Sequence, residues 1–599
     1  MLAPHRPRTA LPPGVLRSIG LAALLAALLS SPGFVAERFA PDGELAASTL
    51  WLIGGMRCSM AAIGLLLAAL PRRVASWVSM GRREGWRALA RATAPVLALE
   101  VRILRLFSKA GLRLAGGGAG GRAGCLLWLG FALYLVPAYT ETGTPAFYIP
   151  RLALPSPGAP WSAAFYGASV CVAFFAYAAA LSAPFRRKVR PSFRWVAAWS
   201  LLFHLTASIS APFFDDDISE LVLHSRMVAH HHMNPYLVMG ADAAAIDEWA
   251  IDEMPSRVPG TLETPYGPLW TLLEGGIGWT TGRSSYLAGL LSFRILFTAL
   301  NLGWAYALYR LRGRGSAGVR SALMYAWNPL VIVIAAASGH NDIMTAVVMG
   351  VGLVLWQRRH RLAGALSLVL SILTKFVPLA LLPLLFAHEW NRGRGLRGVA
   401  LECARFAALF IVLAGALYYP FDVGLGAIRS VALESGVGPA LEGRFYYNSH
   451  SLLYAISEGA WRATRSIPLA HFIQAIFNVG FGVYLLSHLL GVGRARSLTQ
   501  ASGRVLFVFL LLFRGWLQFW YLVWFLVLIP VDATPTFRRE ALLFSFTGLL
   551  HTFAFMVTRS ADYPQQLAQT FLFVGAPILL TLGHLARDRA PLRRPSTAP

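Results

Sequence analysis

Negative charge is scarce in this sequence, and so are the cross-links that hold small secreted folds together. The chain of 599 residues carries 28 Asp and Glu against 53 Lys and Arg, a formal charge of +25, and four cysteines. Cys58, Cys125, Cys171 and Cys403 fall in or beside apolar runs at unrelated spacings, which excludes both a disulfide framework and a cysteine-based zinc site. Charged residues make up only 14% of the chain, too few to coat a set of soluble domains. No long polar domain, internal repeat or low-complexity tail interrupts it. The glycine run at 116–121 lacks the Lys and following Ser or Thr of a phosphate-binding loop and follows no strand, so no nucleotide site is read there.

What fills the chain is apolar sequence: 56% hydrophobic residues and a mean hydropathy of +0.55. The pattern predicts an all-α polytopic membrane protein with spans near 15–34, 48–70, 124–139, 161–184, 193–211, 285–309, 319–338, 342–357, 362–374, 376–390, 398–419, 467–491, 501–515, 516–531, 539–558 and 566–585. Several are shorter than the roughly twenty residues a bilayer asks for. The pairs 362–390 and 501–531 each read as a hairpin, a broken helix or one long tilted element, which sets the expected count at 12 to 16. The basic start of the chain, followed by an apolar run at 15–34, reads as a first transmembrane helix in preference to a cleaved signal.

Basic clusters at 72–122, 186–194, 310–320, 358–361, 392–397, 494–496, 538–539 and 587–594 all fall on one side if the spans alternate, and both termini fall there too. That side is expected to be cytoplasmic. The excess of positive charge is therefore explained by topology and by contact with anionic headgroups, not by nucleic acid. Within 71–123, Arg102, Arg105, Lys109 and Arg113 recur opposite Leu99, Ile103, Leu106 and Ala110, which describes a basic amphipathic helix lying on the membrane. The expected organisation is an N-terminal part, 1–123, followed by a transmembrane domain, 124–599, with outward loops at 211–283 and 420–466.

The few acids are not spread evenly. Eleven of them lie between Ala211 and Gly282, against two arginines, Arg226 and Arg257. A water-facing acidic segment between spans is where a membrane enzyme can keep ionised groups that the spans do not tolerate. Asp215, Asp216 and Asp217 follow a predicted span at its outer end, where a carboxylate can take a proton from a hydroxyl; the bland reading is a helix cap. Asn234-Pro235-Tyr236 and Thr264-Pro265-Tyr266-Gly267-Pro268 are rigid turns whose tyrosines offer a flat face and a hydroxyl, as a sugar ring requires. His230, His231 and His232 are consecutive, so they cannot converge on one ion from a helix; no metal site is expected, and only a weak, exchangeable divalent cation is left open. Lys375 sits in an apolar run at an outward turn, where orientation does not call for positive charge. His340 and Asp342 occupy another short outward turn.

The order of these pieces resembles the GT-C polytopic glycosyltransferases, specifically the polyprenyl-phosphate-mannose-dependent mannosyltransferases of the mycobacterial lipoglycan type and their bacterial relatives. The residues that carry the resemblance run from about Trp195 to Trp524. They are Asp217-Ile218 with Arg226, Asn234-Pro235-Tyr236, Thr264 to Leu269, Gly339-His340-Asn341-Asp342, Lys375-Phe376, Asn448-Ser449-His450-Ser451 and Gln518-Phe519-Trp520-Tyr521. Ser219 stands where the family usually has an aromatic residue. The resemblance implies a GT-C-like helical bundle that takes a sugar, most simply mannose, from a polyprenyl-phosphate carrier and inverts it at the anomeric carbon. It carries the role of catalytic base to Asp217, with Asp216 next.

A phosphodiester-linked sugar leaves a phosphate monoester behind, so the site also needs cations for the charge that develops. Lys375, Arg514 and Arg226 are the basic residues expected there, and Tyr236, Tyr266, His340, Asp342 and Asn448 complete the substrate-binding set. No cofactor beyond the lipid-linked donor is expected. The expected partners are that donor, a glycan, glycolipid or protein acceptor, and membrane lipids. The expected location is a bacterial inner membrane with the site on its exoplasmic face. Another carrier-linked sugar, such as galactose, glucose or arabinose, and a transporter or flippase are the alternatives.

Overall fold

An apolar chain in lipid finds no water for its peptide groups and must satisfy them itself, which a helix does within one segment. The computed structural model describes residues 119–142, 160–182, 191–210, 217–238, 264–281, 286–421, 450–558 and 563–589, and also positions 94, 95, 98 and 102. Among the described residues the secondary structure is helical and no strand occurs; the chain is an all-α polytopic membrane protein. The expected spans 15–34 and 48–70 lie outside the described residues, as does most of the basic amphipathic stretch; its positions 94, 95, 98 and 102 are helical.

In chain order the first helices are α1 (Ala119–Thr142), α2 (Pro160–Ser182), α3 (Phe193–Ser208), α4 (Asp217–Ala229), α5 (Pro268–Thr281) and α6 (Tyr286–Leu311). Then come α7 (Ser316–Ala326), α8 (Pro329–Ile332, prolonged by a π-helical turn Val333–Ser338), α9 (Asp342–Gln357), α10 (Arg361–Ile372), α11 (Leu382–Asn391) and α12 (Gly395–Tyr418). The rest are α13 (Leu452–Thr464), α14 (Ile467–Leu489), α15 (Leu498–Val508), α16 (Phe519–Asp532), α17 (Pro535–Thr558), α18 (Tyr563–Thr570) and α19 (Ala576–Arg589). Among the described residues, Ser162–Ser182, Tyr286–Leu311, Gly395–Phe421, Pro468–Leu489 and Tyr563–Arg587 are long and apolar enough to cross a bilayer.

The expected span 319–338 is not one straight helix. It breaks at Asn328-Pro329 and bends by 57°, because Pro329 has no N–H to continue the ladder. Asn328 caps the new start by accepting a hydrogen bond from the Leu330 N–H at 3.0 Å. Both uncertain pairs prove to be hairpins. Arg361, at the start of α10, pairs at 2.9 Å with Glu389, near the end of α11. The chain therefore turns back between them, near Lys375. Thr499, at the start of α15, bonds at 2.9 Å to Asp532, at the end of α16, so that pair folds back around Arg514–Gln518.

These hairpins sort the turns to two ends of the bundle. One end gathers the start of α4, the α8–α9 turn, the α10–α11 turn and the α15–α16 turn. The other end is ionic: Glu389 meets Arg361 and Arg394, Glu402 meets Arg394, and Glu540 meets Arg504 and His584. Between the two ends lies an apolar core with Trp270, Trp327, Trp356 and Trp524 fully buried.

Candidate active site

The first end of the bundle is built on two close approaches of backbone. The π-helical turn of α8 ends on Gly339 in the left-handed region, φ 76°. A Cβ there would stand 2.1 Å from Ile218 Cδ1, so only glycine lets the α8–α9 turn rest on the first residues of α4. The next residue, His340, then faces Asp217, with Nδ1 3.4 Å from Oδ2. The second approach is Gly267, whose Cβ would lie 2.1 Å from the Leu373 carbonyl oxygen. Gly267 N–H donates to Thr374 O and Leu269 N–H to Leu373 O, both at 3.0 Å. The Thr-Pro-Tyr-Gly-Pro turn is thereby fixed to the end of α10, and Tyr266 lies over Lys375.

Lys375 is buried and enclosed. Its Nζ is 3.2 Å from Asp342 Oδ2, 5.2 Å from the centre of the Tyr266 ring, 5.3 Å from Tyr521 and 6.0 Å from Trp524. The other oxygen of Asp342 accepts from Trp524 Nε1 at 2.6 Å. Arg514 reaches the same tyrosine, its Cζ 5.4 Å from the centre of the Tyr521 ring, and its Nε donates to Trp516 O at 3.0 Å. His340 stacks on Trp520 at 4.1 Å and 16°. A buried cation surrounded by ring faces and one carboxylate keeps its charge in place without water.

Two acids border this cluster, and they differ in access. The side chain of Asp342 is 1% exposed, that of Asp217 34%. Only Asp217 can meet an incoming hydroxyl. Burial pushes its carboxyl up, but the hydrogen bond with His340 and the charges of His340 and Lys375 together outweigh it and hold it below the usual carboxylate range. Asp217 is therefore an ionised proton acceptor at neutral pH. Tyr266 is the reverse case: burial, and the nearby charges of Asp217, Glu220, Asp342 and Glu274, push its phenol well up, so it stays a neutral hydroxyl.

The structure thus brings Asp217, Tyr266, His340, Asp342, Lys375 and Arg514 to one place. Tyr236 stands behind them: its hydroxyl donates to the Tyr266 carbonyl at 3.0 Å and meets Thr271 Oγ1 at 3.0 Å. It braces the turn that carries Tyr266. Asn234 supports it in turn, bonding to the Phe421 carbonyl. Arg226 is nine residues along α4 from Asp217, about 13 Å of helix rise. Asp215, Asp216 and Asn448 lie outside the described residues. The segment that follows Asn448 does meet the site's edge, since Ser451 Oγ donates to Gly515 O at 2.7 Å. Among the described residues no group of three metal-ligating side chains converges.

Two participants escaped the sequence reading. Trp524 fixes Asp342; its signal was the aromatic density of 519–524 beside Arg514. Arg294, in the apolar α6, is fully buried. It donates to Ser208 O at 2.7 Å and Ser210 O at 2.8 Å, and also to Ala337 O. One guanidinium so joins the carbonyl ends of α3 and α8, where helix dipoles favour a cation, and fixes the turn that carries His340. An arginine inside an apolar span was the visible signal.

Residues 148–390 match the family described as alpha-(1->6)-mannopyranosyltransferase, N-terminal domain. The matched stretch contains Asp217, Tyr236, Tyr266, His340, Asp342 and Lys375; Arg514 lies beyond it. The match covers less than half of the chain and shows what residues 148–390 are similar to, the N-terminal domain of a mannosyltransferase. No curated protein and no solved structure matches the chain.

Proposed function

We propose, taking the resemblance of residues 148–390 to these mannosyltransferases as the premise, that the chain transfers mannose from a polyprenyl-phosphate carrier to an acceptor hydroxyl, with inversion. The observation that carries the reading is the contrast at the cluster: a one-third-exposed carboxylate, Asp217, beside a buried carboxylate-lysine pair, Asp342 and Lys375. Asp217 takes the proton of the acceptor hydroxyl as that oxygen attacks the anomeric carbon. The bond from that carbon to the carrier phosphate breaks, and the electron pair leaves with the phosphate. Lys375 and Arg514, which share the Tyr521 ring, supply the positive field into which that charge develops. Arg226 is too far along α4 to share this task.

The acceptor is a glycan, a glycolipid or a protein. The site faces the exoplasmic side of a bacterial inner membrane, with both termini cytoplasmic, because the turns that build it alternate with the basic clusters along the sequence. No cofactor beyond the lipid-linked donor is required. Purified protein incubated with labelled polyprenyl-phosphomannose and an acceptor extract tests the reading. Label appearing in a new glycosidic product supports it. Label that crosses a vesicle membrane still attached to its carrier would identify a flippase instead.

A further inference from the structure

His450 entered the sequence reading only as a member of Asn448-Ser449-His450-Ser451, and the structure seats it beside a second histidine. His450 and His551, the latter on α17, stand edge to face with ring centres 4.7 Å apart. Phe573 stacks on His551 at 4.6 Å and 16°, and Phe519 lies 6.1 Å from it.

The pair borders the candidate site. Phe519, Trp520 and Tyr521 open the 3₁₀ turn Phe519–Leu522 that begins α16, and three residues per turn send their side chains about 120° apart. Trp520 stacks on His340, the partner of Asp217. Tyr521 borders both Lys375 and Arg514, and Phe519 meets His551. One turn thus has the base on one side, the cations on a second and the two imidazoles on the third.

The ring nitrogens are set for opposite hydrogen-bonding roles. His551 Nδ1 lies 2.6 Å from the Gly548 carbonyl, which only accepts, so the proton sits on Nδ1 and Nε2 is left as an acceptor. His450 Nδ1 is buried and has no partner among the described residues. Unmet acceptors are tolerated better than orphaned N–H groups, which puts the His450 proton on Nε2 as a donor. Neither Nε2 has a partner among the described residues, and neither is fully buried; the two residues are 8% and 4% exposed. Burial first, then the neighbouring His551, holds His450 well below the ordinary imidazole range, so it is neutral at pH 7. A neutral donor and acceptor beside aromatic faces do not suit a phosphate. They suit a sugar hydroxyl, which donates and accepts at once.

We infer that His450 and His551 bind a sugar hydroxyl through their Nε2 atoms, the first donating and the second accepting. This deepens the proposed function and rests on it, because the sugar is a substrate of the same site. The hydroxyl belongs either to the acceptor's sugar or to the mannose being transferred.

Full-length protein in detergent is assayed for transfer with each substrate varied in turn, and for binding of methyl α-mannoside by saturation-transfer NMR. His450→Leu removes the donor; His450→Gln returns an N–H near the position of Nε2. His551→Asn keeps a donor for the Gly548 carbonyl and deletes the Nε2 acceptor, so it tests the pair a second time should the leucine variant not fold. Loss of one neutral hydrogen bond should raise one KM about three- to tenfold and weaken the glycoside by a similar factor, with kcat little changed, and His450→Gln should recover most of both. A rise confined to the acceptor KM assigns the hydroxyl to the acceptor, and one confined to the donor KM assigns it to the transferred mannose. Wild type that binds the glycoside through His450 yet transfers no label would end the proposed function and leave the hydroxyl site standing. No difference from wild type in either KM or in glycoside binding, or a glutamine variant no better than the leucine one, overturns the inference.

Discussion

Replacing Asp342 by Asn tests the physical core of the site, because it removes one charge and leaves the shape. Lys375 Nζ lies 3.2 Å from the carboxylate, and at an effective dielectric of about 20 two unit charges at that distance attract by about 5 kcal/mol. The asparagine still offers an oxygen to Trp524 Nε1, so that hydrogen bond survives. What is lost is the counter-charge of a buried ammonium, and breaking a buried pair on one side costs about 3–5 kcal/mol. Lys375→Met costs a similar amount by stranding Asp342. The double variant strands neither, so its loss should fall short of the sum by about 1–3 kcal/mol. Tryptophan fluorescence during thermal unfolding in micelles measures all three. Mannose transfer separates structure from chemistry: it stays low in the double variant even where the fold recovers, because the cation is gone. Additive losses, with no coupling between the two positions, would refute the pairing, and full transfer by the double variant would remove Lys375 from the phosphate's path.

Three further outcomes follow from the same geometry. Asp217→Asn should leave a folded protein whose transfer rate falls about a hundred- to ten-thousand-fold; if transfer is unchanged there and lost in Asp216→Asn instead, the base is the neighbouring residue. His340→Gln removes the partner that holds the Asp217 carboxyl low, so the acid limb of the rate profile should move to higher pH. The stabilisation given by a depressed carboxylate is present above its unfolded pKa and lost as pH falls through the folded value, so the variant should carry less of it at neutral pH and lose less on acidification; identical acid limbs would show that Asp217 is not the titrating group. Glu274 is fully buried and bonded to Trp270, and burial first, then the charge of Glu220, pushes its carboxyl well up. Between its ordinary and folded pKa values the fold keeps a proton the unfolded chain has lost, so stability falls as pH rises. Glu274→Gln should abolish that slope, and unfolding midpoints of variant and wild type should diverge as pH rises above the ordinary carboxylate range; parallel curves would contradict a neutral Glu274.

Among the described residues, the sequence by itself located most of the helical spans and the residue types of the candidate site. Hydropathy alone located α9 to the residue, since the expected span 342–357 and the helix Asp342–Gln357 coincide, because an apolar run bounded by an acid and an arginine leaves a helix few ways to end. It also marked Asp217, His340, Asp342, Lys375 and Arg514, because ionisable residues at the ends of apolar runs are rare enough to stand out. Tertiary structure decided which of them meet and what each does. The hairpin at Lys375 follows from a contact between Arg361 and Glu389, 28 positions apart, which no local pattern encodes. The choice between Asp217 and Asp342 rests on exposure, and exposure is set by Trp524 and by the close approaches at Gly267 and Gly339, where the missing Cβ atoms let distant turns share one space.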